Sequence, residues 1–254
     1  MDIANAPEDY QPATDLLQGK TIMVTGAGDG IGRAASLAYA AHGATVILLG
    51  RTESKLDAVY DEIESAGYAK PALVAMDLAT ATDEQCIHLA EGLAEEFGHL
   101  DGLLHNASLL GERRPIESAT YKAWEEVMQV NVNAMFLLTR RLLPLLQAAP
   151  SASVILTSSG VGHRGRAYWG AYAVSKFATE GFMQVLADEL ENTSNIRVNS
   201  LNPGATNTGM RRSAYPAEEP TETPAPADIM DAYLYLMGPD SAGVTGQAFN
   251  AQRR

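Results

Sequence analysis

Tyr172-Ala173-Val174-Ser175-Lys176 places a phenol and an ammonium four residues apart, hence on one face of a helix. That pair suits proton transfer to an oxygen that gains negative charge, as a carbonyl oxygen does when hydride reaches its carbon. A free tyrosine has a pKa of about 10, and a neighbouring lysine favours the phenolate and lowers that value toward working pH. Ser159 lies 13 residues upstream of Tyr172, at the end of the apolar run 153–157, where a hydroxyl can hold the reacting oxygen. A Tyr-x-x-x-Lys spacing alone arises by chance on any amphipathic helix, so its surroundings decide its weight.

The second feature is the glycine-rich turn Thr25-Gly26-Ala27-Gly28-Asp29-Gly30-Ile31-Gly32-Arg33, directly after the apolar run 21–25. Glycines permit a tight turn and close backbone approach to a pyrophosphate, and the helix that follows offers free N–H groups and its positive dipole end. The general G-x-G-x-x-G fingerprint fails, because the residue three after Gly28 is Ile31; the pattern present is T-G-x-x-x-G-x-G. After the second apolar run, where an acidic residue would bind a ribose 2′-hydroxyl, the chain reads Gly50-Arg51. Arg51 suits a 2′-phosphate through charge-assisted bonds. This favours NADP, with NAD as the alternative because Asp29 puts a negative charge into the turn itself.

These motifs, in this order, resemble those of the short-chain dehydrogenase/reductase family over essentially residues 20–250. The likeness is strongest in T-S-S-G-V-G at 157–162, followed by Tyr172 and Lys176 at the family spacing. In finer detail, W-G-A-Y-A-V-S-K-F-A-T-E-G and the proline-rich segment resemble the YciK-type branch of the bacterial members. The resemblance implies catalytic roles for Asn131, Ser159, Tyr172 and Lys176, with Asn131 holding a water in a proton relay and Lys176 also binding the nicotinamide ribose. It implies cofactor contacts at Gly26, Gly28, Asp29, Gly30, Ile31, Arg51, Asp77, Leu78 and Asn106, with Asp77 at the adenine. Pro203, Gly204, Thr206 and Thr208 would flank the nicotinamide. His105-Asn106-Ala107-Ser108 departs from the family's N-N-A-G at both ends, so only Asn106 and Ala107 carry over. A homodimer or homotetramer built on the helices within 121–149 and 168–191 is implied as well. Read singly, Ser159 is also a plain strand-end turn, Asn131 a helix-end residue and Tyr172 a packed aromatic.

Short apolar runs alternate with amphipathic stretches, the βαβ signature of a parallel sheet. Strands are expected at 21–25, 45–49, 72–76, 100–105, 153–157, 196–201 and 244–250. Helices are expected at 31–42, 53–66 and 83–97, each followed by a glycine, then two within 121–149 and one over 168–191. The expected fold class is α/β: a Rossmann-type, doubly wound, three-layer parallel sheet of seven strands with helices on both faces. It forms one domain over 1–254, with an N-terminal arm at 1–18 and a proline-rich, substrate-side loop at 209–228. Ligands in such sheets sit beyond the carboxyl ends of the strands, where all the motifs above fall.

The net charge of −13 disfavours nucleic acid and anionic membrane surfaces as partners. The one cysteine, Cys86, allows no intrachain disulfide, and residues 1–18 lack the features of a signal peptide. A cytoplasmic protein without a membrane span and without a metal site is expected. The partner is a small carbonyl or alcohol substrate. Arg164, Arg166, Arg211 and Arg212 on segments beside the pocket make an anionic substrate one option. Pairing of those arginines with Glu218, Glu219 and Glu222, or with another subunit, is the other. An NADP(H)-dependent oxidoreductase is the leading reading, and a non-catalytic nucleotide-sensing protein on the same fold is the alternative.

Overall fold

The computed structural model describes residues 3–253; Met1, Asp2 and Arg254, which the expected arm and domain include, lie outside the described residues. Its centre is a parallel sheet of β1 (Ile3–Asn5), β2 (Thr21–Thr25), β3 (Thr45–Gly50), β4 (Ala72–Ala75), β5 (Gly102–His105), β6 (Ala152–Thr157), β7 (Ile196–Asn202) and β8 (Ala248–Asn250). The spatial order is β1-β8-β7-β6-β5-β2-β3-β4. The chain winds outward from β2 through β3 to β4, then returns to lay β5, β6, β7 and β8 on the other side. The loops after β2 and β5 therefore part in opposite directions, which opens a crevice at the carboxyl ends of these neighbouring strands.

Helices α1 (Gly30–Ala41), α2 (Glu53–Ser65) and α8 (Met230–Met237) cover one face of the sheet. Helices α3 (Asp83–Phe97), α5 (Ala134–Ala148) and α6 (Gly170–Leu190) cover the other. Two apolar layers result, one around Tyr39, Leu48 and Tyr233 and one around Ile47, Leu138 and Val154. Strands buried on both faces read as continuous apolar runs rather than alternating ones, which is why 45–49 and 153–157 stand out in the sequence. Gly43, Gly67 and Gly98 follow α1, α2 and α3 with positive φ, the left-handed geometry that ends a helix.

The sheet differs from expectation by one strand. β1 falls in the expected N-terminal arm and pairs Ile3 with Ala248 at the sheet edge. Of its three residues only Ala4 packs against the core, and the strand rests on its backbone ladder to β8, so no hydrophobic pattern marks it. β8 is shorter than 244–250 because Gly246, at φ +69°, turns the chain just before it. The stretch 121–149 does hold two helices, α4 (Tyr121–Met128) and α5, joined by one π-helical turn at Gln129–Asn133. Helix α6 starts at Gly170 rather than 168, since Tyr168 takes φ +71°, outside helical geometry. The segment 209–228 is not all loop: its first part is α7 (Gly209–Ala214), capped by the Thr208 hydroxyl, which accepts from the Arg211 N–H at 3.1 Å. Two 3₁₀ turns, Pro220–Glu222 and Pro226–Ile229, complete the proline-rich excursion.

Candidate active site

A cleft of about 360 Å³ opens at the carboxyl ends of the strands and runs from α2 to α7. One end is glycine-built. A Cβ on Gly32 would lie 2.1 Å from the Gly26 carbonyl oxygen, so the turn closes only without a side chain there. Gly26 has φ +70°, and its Cβ would meet the Ala107 backbone at 3.0 Å. The Thr25 hydroxyl accepts from the N–H groups of Asn106 and Ala107 at 3.0 and 3.1 Å, and the Asn106 side chain donates to the Thr25 carbonyl at 3.3 Å. Thr25, Gly26, Gly32 and Asn106 thus lock the ends of β2 and β5 together, and Gly26, Gly28, Gly30 and Ile31 line the cleft floor. This bare cradle at the start of a 12-residue helix fits a dinucleotide pyrophosphate.

Four charged residues line this end. Arg51 lines the cleft and has no carboxylate partner among the described residues. Asp29 caps α1, accepting from the Gly30 N–H at 2.7 Å, and its other oxygen pairs with Lys55. The Lys55 hydrogen bond holds the Asp29 carboxyl below the usual carboxylate range, so the acid stays ionised and locally neutralised. Lys55 was not among the expected site residues; a basic residue four positions after Arg51, in the first turn of α2, was the available signal. Asp77 and Leu78 line the cleft beside it, and Asp77 accepts from the Ala79 N–H at 2.9 Å, a local turn rather than a helix cap.

The other end carries Tyr172 and Lys176, with Ser159 one residue beyond the lining Ser158. Tyr172 and Lys176 lie on one face of α6, with Lys176 Nζ 5.5 Å from the phenol ring centroid. That ammonium is buried and donates to the Thr157 carbonyl at 2.7 Å. Where a lowering by the lysine was expected, burial instead pushes Tyr172 up to about 12, and only the Ser159 hydroxyl acts against that rise. Burial likewise brings Lys176 down to about 8, opposed by the charge of Glu180. At neutral pH the phenol therefore holds its proton and the lysine is largely an ammonium. Ser159 caps the short 3₁₀ turn Gly160–Gly162, and Gly162 has no room for a Cβ against the Lys176 carbonyl, at 2.9 Å. This contact fixes the serine's loop to the lysine's helix.

The side chain of Asn131 is engaged within the fold. It accepts from the Leu109 N–H at 2.8 Å and donates to the Leu109 carbonyl and to Ser175 Oγ. The amide is spent holding the loop after β5, which leaves the main chain of the π turn as the part able to hold a water. A second cavity of about 10 Å³, enough for a single water, lies between Asn131, Lys176, Thr157 and His105. His105 is buried, brought down to about 3 by desolvation, and bonded to Thr139 at 2.8 Å, so it packs as a neutral ring.

The loop after β7 also corrects part of the expectation. Pro203 and Thr208 line the cleft, but Gly204 and Thr206 do not. Gln252 reaches in from the C-terminus and donates to the carbonyls of Pro203 and Ala205, both at 2.7 Å, and to Thr206 Oγ1 at 3.2 Å. Thr206 is therefore turned into this clamp, and a Cβ on Gly204 would strike Gln252 at 2.9 Å. Among the substrate-side arginines, Arg211 is held by Glu218 through two hydrogen bonds, as the pairing alternative expects. Arg212 donates to Asn207 and Arg166 to Tyr215.

Comparison with known proteins places this geometry. The model of the short chain dehydrogenase family matches residues 20–219. The Escherichia coli oxidoreductase YciK is 54% identical over 243 residues, covering 96% of each chain. The 3-oxoacyl-[acyl-carrier-protein] reductase of Thermotoga maritima is 30% identical, covering 91% of this chain and 95% of its own. A crystal structure of a short chain dehydrogenase from Escherichia coli CFT073 complexed with NADPH superposes with a TM-score of 0.92 at 54% identity, covering 95% of this chain and 100% of that one. Both the residues that line the cleft and the extent of these matches assign the chain to the short chain dehydrogenases, an oxidoreductase family.

Proposed function

We propose that the protein is an NADP(H)-dependent oxidoreductase that interconverts a carbonyl compound and its alcohol. One observation carries the reading: a single cleft has a glycine cradle flanked by Arg51 and Lys55 at one end and the Tyr172–Lys176 pair at the other. The NADPH complex of the 54% identical relative supports the choice of cofactor. Arg51 would meet the 2′-phosphate, and Lys55 would offset the repulsion from Asp29. Gly26, Gly28, Gly30 and Ile31 would hold the pyrophosphate, and Asp77 and Leu78 the adenine side.

When bound, the reduced nicotinamide supplies a hydride to the carbonyl carbon. Tyr172 then gives its Oη proton to the carbonyl oxygen as that oxygen gains charge, and the Ser159 hydroxyl holds the same oxygen by donating to it. Lys176 keeps a positive charge beside the phenolate so formed, and burial makes that charge count for more than it would in water. The small cavity beside Asn131 and Lys176 is a place for the water through which the phenolate regains its proton. Tyr172→Phe removes the acid and leaves the cradle intact. Its kcat with a panel of aldehydes and ketones should fall by about 10²–10⁴-fold, the usual loss of a general acid, with NADPH affinity retained. Undiminished turnover would reject the assignment.

The substrate is a small carbonyl or alcohol compound, and an acidic group on it is part of this reading. A homodimer or homotetramer is proposed on the outer faces of α5 and α6. Phe136, Phe177 and Val185 are 46%, 46% and 58% exposed there, whereas Leu142 of the same stretch is buried in the core. Light scattering on the purified protein should give a multiple of the chain mass; a monomer would refute it. A cytoplasmic location accords with the single buried thiol, Cys86. Among the described residues, no helix is long and apolar enough to cross a membrane.

A further inference from the structure

Three segments meet next to Tyr172, behind the residues that line the cleft itself: the loop after β5, the loop between β6 and α6, and α7 with the chain after it. Each sends a guanidinium to one pair of aromatic rings. Arg113 Cζ lies 4.7 Å from the Trp169 ring centroid and 5.0 Å from that of Tyr215. Arg211 Cζ stands 3.9 Å over the Tyr215 ring, and Arg166 donates to the Tyr215 hydroxyl at 2.8 Å. Trp169 in turn packs with its ring centroid 5.8 Å from that of Tyr172, so Arg113 is one aromatic ring away from the reacting phenol.

This convergence is out of balance. Three cations gather on two rings in a chain of net charge −13, yet among the described residues only one carboxylate pairs with any of them, Glu218 with Arg211. Arg113 and Arg166 have no carboxylate within ion-pair distance among the described residues, although the neighbouring Arg114 has one in Glu112. The Arg113 guanidinium lies against both rings, and among the described residues no hydrogen bond or ion pair engages its N–H donors, which leaves them available to a carboxylate. A second, independent sign is the Trp169 indole N–H. Trp169 is 8% exposed, and its Nε1 is buried without an acceptor. Such a buried donor is costly unless something completes it.

We infer that Arg113 and Arg166, with the Trp169 N–H, form an anion subsite that receives a carboxylate carried by the carbonyl substrate. The inference rests on the oxidoreductase reading of the cleft. It assigns the anion to Arg113 and Arg166 rather than to Arg211, whose donors Glu218 already occupies. The substrate class is an oxo acid whose carboxylate is separated from the carbonyl by about the span of one aromatic ring.

The test compares two ketones that differ only in charge, 4-acetylbenzoate and its methyl ester, by calorimetric titration of the NADP⁺-loaded protein. The acid should bind at least tenfold more tightly than the ester, and the preference should shrink as salt is added. Arg113→Met keeps an apolar chain against Trp169 and Tyr215 while removing the charge; combined with Arg166→Gln it should abolish the preference. Tyr172→Phe should retain it. Acid binding no better than ester, absence of binding by both at millimolar concentration, or a preference that survives the double substitution would overturn the subsite. Failure of the oxidoreductase reading shows separately, as NADPH consumption that Tyr172→Phe leaves unchanged.

Discussion

The two ends of the cleft are built on different principles. At the α1 end the backbone does the shaping: Gly26, Gly30 and Gly32 set the turn, and the acid Asp29 is neutralised on the spot by Lys55. At the α7 end side chains do it, with Trp169, Tyr215 and three arginines brought together from segments that are distant in sequence. A backbone-built site admits almost no variation, because a Cβ has nowhere to go. A side-chain-built site can be recomposed residue by residue without disturbing the sheet beneath it. The first suits a ligand common to many reactions and the second a ligand particular to one.

The sharpest way to break this contrast is to add one methyl group at each end. Gly32→Ala sets a carbon 2.1 Å from the Gly26 carbonyl oxygen, so the turn must open. Loss of NADPH affinity of at least about 100-fold, close to the roughly 3 kcal/mol at the upper end for a charged hydrogen bond, is expected by fluorescence titration. Gly165→Ala, in the loop before α6, meets nothing within 4 Å and should leave affinity and melting temperature unchanged. Equal effects at the two positions would erase the distinction.

A smaller effect concerns Lys176, which stands between the two ends. Burial lowers it from 10.5 to about 8. Below about pH 8 it is charged in both the folded and unfolded states, and the folded state bears the desolvation cost. Between about pH 8 and 10.5 the unfolded chain still binds a proton that the folded one has released, so stability rises with pH across that window. Urea denaturation should show wild type gaining roughly 2–3 kcal/mol on Lys176→Met between those limits, at about 1.4 kcal/mol per pKa unit. A difference independent of pH would mean that the ammonium is not buried as described.

The same contrast explains what was legible in the sequence. The glycine turn and Tyr-x-x-x-Lys are short-range patterns that act through local backbone geometry, so residue type and spacing suffice to place them. The apolar runs of β3 and β6 reveal a doubly covered sheet for the same reason. Edge strand β1 stayed hidden because only its ladder with β8, far away in sequence, makes it a strand. Asn131 was identified but its amide was not, since its partner Leu109 comes from another loop 22 residues away. Arg113 escaped notice because an arginine in a loop carries no periodicity; only the fold brings it to Trp169. The proline-rich segment showed where regular helix must stop, but not that Thr208 would cap one short helix before it.

The central claim is that this cleft binds NADP(H) through Arg51 and presents it to Tyr172. Titration of the purified protein with NADPH and NADH, followed by nicotinamide fluorescence, tests it without knowledge of the substrate. NADPH should bind the more tightly, and Arg51→Ala should weaken it by about 1.5–3 kcal/mol, roughly 10- to 150-fold, while leaving NADH nearly unchanged. Tighter binding of NADH, or an equal loss for both cofactors in Arg51→Ala, would contradict the 2′-phosphate role, and binding of neither would contradict the oxidoreductase reading itself.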